Sequence, residues 1–133
     1  VDRVAEIHAK LPNTHLVMHG SSSVPQDLQD IINEYGGDMR QTWGVPVEEI
    51  QEGIKNGVRK INVDTDNRMA ITGAIRKVLK ENPEAFDPRA YLKPARIAMQ
   101  KVAESRMISF GQAGMAPKVR QESLEDMAKK YFT

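Results

Sequence analysis

Apolar residues recur every three or four positions along most of this chain, which is the spacing of amphipathic helices. Together with turn and cap signals, the pattern predicts helices over residues 2–10, 24–35, 46–57, 67–81 and 88–110. A last apolar stripe predicts one more helix near the C-terminus, and its members are Leu124, Met127, Ala128 and Tyr131. The chain is therefore predicted to be mainly helical.

Two short apolar runs interrupt the helical pattern, at residues 14–19 and 58–63. Each run is bounded by turn residues, which is typical of a buried strand. Helices separate the two runs and supply the crossover connection that a parallel pair of strands requires. The predicted order is therefore α, β, α, α, β, α, followed by helices only.

Two parallel strands cannot enclose a core, because parallel sheets are covered by helices and flanked by further strands. A (β/α)8 barrel usually needs about 250 residues, roughly twice the length of this chain. The first residue is Val1 and not Met, and the chain begins directly at a predicted helix, so we expect a piece of a longer protein. The pattern predicts an α/β fold and leaves open a barrel or a doubly wound sheet.

Turn residues mark the helix that follows the first predicted strand. Ser23 and Gln26 have the spacing of a capping box, with Pro25 in the first helical turn. We therefore expect the side chain of Ser23 to cap this helix, which Gly36 and Gly37 end.

The composition is that of a globular, soluble protein, with 40% hydrophobic and 28% charged residues. The net charge is +1 and the basic residues are scattered, which argues against nucleic acid or a membrane surface as a partner. The absence of cysteine excludes disulfides, thiol catalysis and a cysteine zinc site, and it fits a cytoplasmic location. No apolar run approaches the roughly 18 residues that a membrane span needs.

The first candidate site follows the first predicted strand and comprises His19, Gly20, Ser21 and Ser22. Gly20 allows a ligand to approach the backbone closely. The N–H groups of such a turn before a helix form a cradle for an anion. The imidazole of His19 can bind a metal through a ring nitrogen. The alternative is a plain turn beside a packed imidazole.

The second candidate site follows the second predicted strand. Side chains alternate along a strand, so Asn62 and Asp64 share one face. Polar side chains on an otherwise buried strand need partners or a cavity. The strand then leads into a helix N-terminus, where anions are favoured. The alternative is that Thr65 or Asp66 only caps that helix.

The two sites are more informative together than apart. Active sites of (β/α)8 enzymes lie at the carboxyl ends of the strands, and loops after the last two strands often bind phosphate. Two successive strands that each end in a polar turn before a helix therefore indicate a phosphorylated substrate, with a metal in addition. The pattern alone does not name a reaction.

At these two turns the sequence resembles the class II, zinc-dependent fructose-bisphosphate aldolases. The resemblance extends through LVMHGSSSVP, GVPVEEIQEGIKNGVRKINVDTD and FDPRAYLKPA, and it looks closest to the branch often linked to the Calvin cycle in bacteria. It implies the C-terminal part of a TIM (β/α)8 barrel, with the two predicted strands as its seventh and eighth. Residues 1–86 would hold the last two βα units, and residues 87–133 would form a C-terminal helical extension of the same domain.

The resemblance implies reversible cleavage of fructose 1,6-bisphosphate to dihydroxyacetone phosphate and glyceraldehyde 3-phosphate. His19 would be one of three histidine ligands of a catalytic Zn2+, which acts as a Lewis acid. Asn62 would donate a hydrogen bond to the enediolate as its charge develops. Phosphate and substrate contacts would come from residues of the two turns, namely Gly20, Ser21, Ser22, Asp64 and Thr65. Arg89 would bind the second phosphate in the active site of another subunit of a homodimer or higher oligomer.

The implied site is incomplete within this chain. The other two zinc histidines and the catalytic aspartate of the family lie on earlier strands, and we do not expect His8 or His15 to replace them. With one zinc ligand of three, the chain alone should bind zinc poorly and should be inactive without the remainder of the aldolase chain. A monovalent cation near His19 is a further implied feature.

Three alternatives remain open at this point. Lys60 shares the strand face of Asn62. A second enzymatic hypothesis is therefore an aldolase that forms a Schiff base on this lysine. A related ketose bisphosphate, such as that of tagatose or sedoheptulose, would leave much the same motifs. A non-catalytic module that binds a phosphorylated ligand or mediates assembly is the third.

Overall fold

Two strands separated by helices lie in the first half of the chain, and the computed structural model describes residues 1–131. In chain order the elements are α1 (Asp2–Lys10), β1 (Leu16–Met18), α2 (Gln26–Glu34), α3 (Val47–Lys55), β2 (Val58–Ile61), α4 (Thr65–Glu81), α5 (Pro88–Ser109), a 3-10 turn (Ala116–Lys118) and α6 (Leu124–Tyr131). The side chain of Tyr131 and the last two residues of the predicted extension 87–133 lie outside the described residues. The predicted order of elements is confirmed.

β1 and β2 pair in parallel, and a bulge interrupts their register. Leu16 pairs with Val58, whereas Val17 pairs with Lys60, so Arg59 is an extra residue in β2. Val58 faces α3, where its Cγ2 would lie 3.4 Å from a Cβ at Gly53. Because Arg59 is extra, Lys60 points away from Val58, to the face of the sheet opposite α3.

The face of the sheet that points away from α3 is open within residues 1–131. Val17 is 53% exposed on this face, although it is an apolar residue in a strand. Its partner Lys60 is exposed as well. On the other side the strands are covered, and Ile50 of α3 is fully buried. The two strands thus have one packed face and one uncovered face in the described part of the chain.

The main core cluster lies between the turn after β1, α2 and α4, where Val24, Ile32 and Met69 are buried together. Gly73 of α4 allows α2 to come close, since a Cβ at this position would lie 3.0 Å from Cγ2 of Ile31. α5 packs along α4. These helices hold the segments that follow β1 and β2 against one another.

The structure corrects several local predictions. The strands are shorter than predicted, and α4 begins at Thr65 rather than near residue 67. The capping box is wrong: Pro25 is the N-cap of α2 and no side chain caps this helix. The Ser23 hydroxyl instead contacts Asp66, 43 residues away. The predicted start of the helix at residue 88 is confirmed, and Asp87 accepts the backbone N–H of Arg89 there.

Gly57, which joins α3 to β2, is a position where the backbone requires glycine. Its φ is +87°, and a Cβ there would lie 2.6 Å from Nδ1 of His8. We expect Gly57→Ala to lower the free energy of unfolding by about 2 kcal/mol or more, because a non-glycine residue at positive φ costs about 1–3 kcal/mol before any clash. Urea denaturation of the variant and the unmodified protein measures the difference.

The matched control is Gly111→Ala. Gly111 also has a positive φ, +75°, but nothing lies within 4 Å of its hypothetical Cβ. The excess loss at Gly57 over Gly111 therefore reports the contact with His8. Equal losses at the two positions would contradict the role given to this contact.

Candidate functional site

His19 and Asn62, which follow neighbouring parallel strands, lie side by side. Asn62 Nδ2 is 3.1 Å from Nδ1 of His19, and Asn62 Oδ1 accepts a hydrogen bond of 2.6 Å from Nζ of Lys60. An ammonium can only donate, so it fixes Oδ1 on the side of Lys60 and Nδ2 on the side of His19. Nδ1 of His19 is therefore the acceptor and carries the lone pair.

Ser21 ties the ends of the two strands together. This residue is 1% exposed. Its Oγ lies 3.1 Å from the carbonyl oxygen of Met18 and 2.9 Å from that of Asn62, so one hydroxyl serves both strands. Because Ser21 is buried and bonded in this way, it holds the geometry of the turn and does not present its hydroxyl to solvent.

Ser22 connects the first turn to the N-terminus of α4. Its Oγ accepts hydrogen bonds of 3.1 Å from the backbone N–H groups of both Asp64 and Thr65. No side chain of α4 itself caps this helix, so the alternative of a local cap by Thr65 or Asp66 is wrong. A hydroxyl from the other turn meets the positive end of α4, where the helix favours an anion.

Gly20 shapes the turn between His19 and Ser22. Its φ is +63° and its hypothetical Cβ would meet open space. Within residues 1–131, the backbone N–H groups of Gly20, Ser21 and Ser22 donate no hydrogen bond. Consecutive N–H donors around a left-handed residue form a concave anion site.

Charged side chains flank this turn. Asp64 is exposed and pairs with Arg68, with 2.8 Å between Oδ2 and Nη2. The hydrogen bond that Arg68 donates to this carboxylate, and then the carboxylate charge, raise the pKa of Arg68. An arginine thus lies one helical turn into α4, beside the candidate anion site, while the Asp64 carboxylate is occupied by that arginine.

Arg89 lies apart from the two turns, at the start of α5. Its side chain is 92% exposed and pairs with Asp87. The hydrogen bond from Arg89 lowers the pKa of Asp87 and the same bond raises the pKa of Arg89. Within the described residues its side chain forms no hydrogen bond or ion pair with His19 or Asn62, and Asp87 is its partner.

Two residues that sequence reasoning missed are Asp66 and Arg106. Asp66 is fully buried and pairs with Arg106 of α5, with 3.0 Å between Oδ2 and Nη2. The sequence indicated Asp66 only as a possible helix cap. In the predicted helix 88–110, Arg106 shares its helical spacing with apolar residues, namely Ala95, Met99, Val102 and Phe110. A cation inside such a stripe is the one signal that indicated a buried partner.

His19 is the metal-ligating candidate that the structure places at the strand ends. Within residues 1–131, no group of three or more His, Cys, Asp or Glu side chains could hold a metal ion. His15 precedes β1 and His19 follows it, so the two lie at opposite ends of the strand. His8 packs against Gly57, before β2. A metal here would need further ligands from outside this chain.

None of the described helices has the length and apolar character to cross a membrane.

Comparison with known proteins identifies the family. The family model "Fructose-bisphosphate aldolase class-II" matches residues 1–115. The chain is 63% identical over 131 residues to a fructose-bisphosphate aldolase of Nostoc sp., covering 98% of this chain and 36% of that protein. It is 60% identical over 128 residues to fructose-bisphosphate aldolase 2 of Cereibacter sphaeroides, covering 96% of this chain and 36% of that protein.

A third relative agrees with these two. The fructose-bisphosphate aldolase of Pseudomonas aeruginosa is 58% identical over 131 residues, covering 98% of this chain and 37% of that protein. The chain thus spans little more than a third of the length of the curated relatives it matches. With a family match over most of its residues, this chain belongs to the class II fructose-bisphosphate aldolase family.

Proposed function

We propose that this chain is the C-terminal third of a zinc-dependent aldolase that reversibly cleaves fructose 1,6-bisphosphate to dihydroxyacetone phosphate and glyceraldehyde 3-phosphate. The observation that carries the proposal is the 3.1 Å contact between Asn62 Nδ2 and His19 Nδ1, beside the turn at Gly20. A metal ligand, a neutral hydrogen-bond donor and an anion cradle together meet the needs of this reaction. The full-length enzyme is this chain together with the N-terminal part present in its relatives.

The open face of the sheet supports a (β/α)8 barrel. Val17 and Lys60 are exposed on that face, and the remaining strands of a barrel would enclose them. In this proposal β1 and β2 are the seventh and eighth strands, residues 1–86 are the last two βα units, and residues 87–133 are a helical extension of the same domain. The enzyme is cytoplasmic.

His19 suits one position in a three-histidine zinc site. Its Nδ1 carries a lone pair, which is the form of imidazole that binds a metal. Zinc supplies Lewis-acid catalysis at the substrate carbonyl when bound. If His19 held the metal through Nδ1, Nδ2 of Asn62 would no longer donate to His19 and this N–H would be available to the substrate.

Asn62 provides the neutral donor for the reacting oxygen atoms. Lys60 keeps Oδ1 of Asn62 occupied, so the amide cannot rotate without breaking a charged hydrogen bond. Nδ2 is thereby directed to the side where negative charge develops during cleavage. A donor held in place before the reaction stabilises that charge without reorganisation.

The turn at the end of β1 binds a phosphate of the substrate in this proposal. Its three unpaired N–H groups, from Gly20, Ser21 and Ser22, form the cradle. The hydroxyl of Ser22 is a further donor to the phosphate. The backbone N–H groups of Asp64 and Thr65, which donate to Ser22 Oγ in the structure, are two more. Binding of the phosphate positions the reacting bond, although that bond lies some distance from the phosphate.

Arg89 serves a second subunit in the proposed enzyme. Its nearly full exposure fits a side chain that binds the second phosphate across an interface of a homodimer or higher oligomer. Guanidinium groups suit this task because they bind phosphate with two parallel hydrogen bonds. Tagatose or sedoheptulose bisphosphate is the alternative substrate.

The proposal is tested with the full-length enzyme, the chain alone and two reagents. A chelator should stop fructose 1,6-bisphosphate cleavage by the full-length enzyme, and added zinc should restore it, because the metal supplies several kcal/mol of catalysis. Borohydride with substrate should leave activity intact, since no Schiff base forms on Lys60. The chain alone, with zinc added, should show no turnover.

Two results would overturn the proposed mechanism, which uses zinc on three histidines. Borohydride inactivation with a label on Lys60 would establish the Schiff-base mechanism. Turnover by the chain alone near the rate of the full-length enzyme would show that the missing histidines are not needed.

A further inference from the structure

A buried ion pair joins the C-terminal helix α5 to the turn after β1. Asp66 is fully buried and Arg106 has only 14% of its side chain exposed. Nε and Nη2 of Arg106 lie 3.2 and 3.0 Å from Oδ2 of Asp66, and Nη2 also donates to the hydroxyl of Ser23. That hydroxyl is in turn 3.1 Å from Oδ2 of Asp66, which closes a triangle of three side chains.

The same carboxylate holds the backbone of the turn. Oδ2 of Asp66 accepts the N–H of Ser23 at 3.2 Å, and Oδ1 accepts the N–H of Val24 at 2.9 Å. Val24 has a φ of 51°, and it is the one described residue other than glycine with a positive φ. A β-branched residue in this conformation is strained and persists only where its surroundings enforce it.

Asp66 could not hold this turn without a cation beside it. A carboxylate with no exposure is costly in free energy unless it is paired and hydrogen-bonded. Arg106 comes from α5, 40 residues further along the chain, and supplies the charge. The conformation of the turn therefore depends on the helical extension as well as on the sheet.

The turn that is held in this way continues directly into the candidate phosphate cradle. Ser23 follows Ser22, whose hydroxyl meets the N-terminus of α4, and Asp66 lies in the first turn of that helix. By using the N–H groups of Ser23 and Val24, Asp66 fixes where the chain leaves the cradle. The unpaired N–H groups of the three preceding residues are thereby kept in one arrangement.

We propose that Arg106 is a positioning residue for phosphate binding, acting through Asp66 and Ser23 on the turn after β1. The inference rests on the proposed function for the identity of the ligand, a phosphate group of the substrate. Arg106 does not touch that ligand. It keeps the donors of the cradle in place before the phosphate arrives, and preorganised donors bind more tightly than mobile ones.

The test compares Arg106→Met with Arg96→Met in the full-length enzyme. Arg96 is also on α5 but is exposed and outside the cluster, so it is the matched control. Arg106→Met should raise KM for fructose 1,6-bisphosphate about 10-fold to 100-fold, because cradle donors that are no longer held in place bind the phosphate more weakly. The inhibition constant of inorganic phosphate should rise by a similar factor. Zinc content and kcat should stay within about twofold, and Arg96→Met should change nothing.

Milder variants keep the inference testable if Arg106→Met does not fold. Arg106→Lys retains the charge, and Ser23→Ala retains the backbone contact to Asp66, so each should raise KM about threefold to tenfold. Thermal denaturation is measured for every variant. A lower melting temperature with KM and phosphate inhibition unchanged would show that the ion pair only stabilises the fold, and would overturn the inference.

Failure of the proposed function gives a different pattern of results. A full-length protein without aldolase activity would overturn the function, while phosphate binding measured by calorimetry still tests Arg106. Phosphate affinity that falls in Arg106→Met and not in Arg96→Met supports the inference in that case. Equal affinity in the two variants, or no phosphate binding by the unmodified protein, overturns it.

Discussion

Replacing His19 with alanine should abolish zinc-dependent cleavage by the full-length enzyme. His19 is the one histidine that the described structure places at the carboxyl ends of the strands, and its Nδ1 carries the lone pair that a metal needs. A Lewis-acid metal supplies several kcal/mol of transition-state stabilisation, so kcat/KM should fall by about 10³-fold or more. Zinc content, measured on the dialysed protein by atomic absorption, should fall with it.

The control for this experiment is His15→Ala. His15 is exposed and precedes β1, at the opposite end of the same short strand. This variant should keep its zinc and its activity. A His19→Ala enzyme that retains stoichiometric zinc and turnover would contradict the role of His19, and it would also remove the main support for the proposed function.

Asn62→Ala should lower kcat/KM of the full-length enzyme by about 10²–10³-fold, the usual cost of removing one donor to a developing oxyanion. The reason is geometric: Lys60 holds Oδ1 of Asn62, which leaves Nδ2 as the donor at the mouth of the site. Unlike the histidine variant, this enzyme should keep its zinc. Steady-state kinetics together with metal analysis separate the two effects.

Two further variants sharpen this prediction. Asn13→Ala changes an exposed asparagine before β1 and should leave the kinetics unchanged. Lys60→Met should reduce kcat/KM less than Asn62→Ala, because it frees the amide to rotate and does not remove it. If Asn62→Ala altered zinc content and not kcat, the amide would be a support for His19 and not a donor to the substrate.

Sequence reasoning succeeded where the controlling interactions are local. The start of α5 at residue 88 was predicted from local turn and cap signals, and Asp87 caps the helix there by accepting the N–H of Arg89. The shared face of Lys60 and Asn62 was predicted from alternation along a strand, and their side chains do meet. The carboxyl ends of parallel strands meet at one edge of a sheet, so the approach of His19 to Asn62 also followed from the pattern.

Sequence reasoning failed where a distant partner decides the outcome. The spacing of Ser23 and Gln26 favours a capping box, yet Ser23 bonds to Asp66 because a buried carboxylate requires every donor within reach. Ser23 and Asp66 are 43 residues apart in the chain, so no local sequence pattern could reveal their contact. Arg106 was hidden for the same reason, since its helical spacing is that of a core residue.

Because of the bulge in β2, the effect of deleting one residue on the position of Asn62 depends on which residue is removed. Removing Arg59 would leave Lys60 opposite Val17, where it already pairs, so Asn62 would still reach His19. Removing Ile61 would shift every later side chain to the other face of the pleat and carry Asn62 toward the helices. A one-residue deletion in β2 is therefore expected to leave Asn62 beside His19 when it is made at residue 59, and to displace Asn62 when it is made at residue 61.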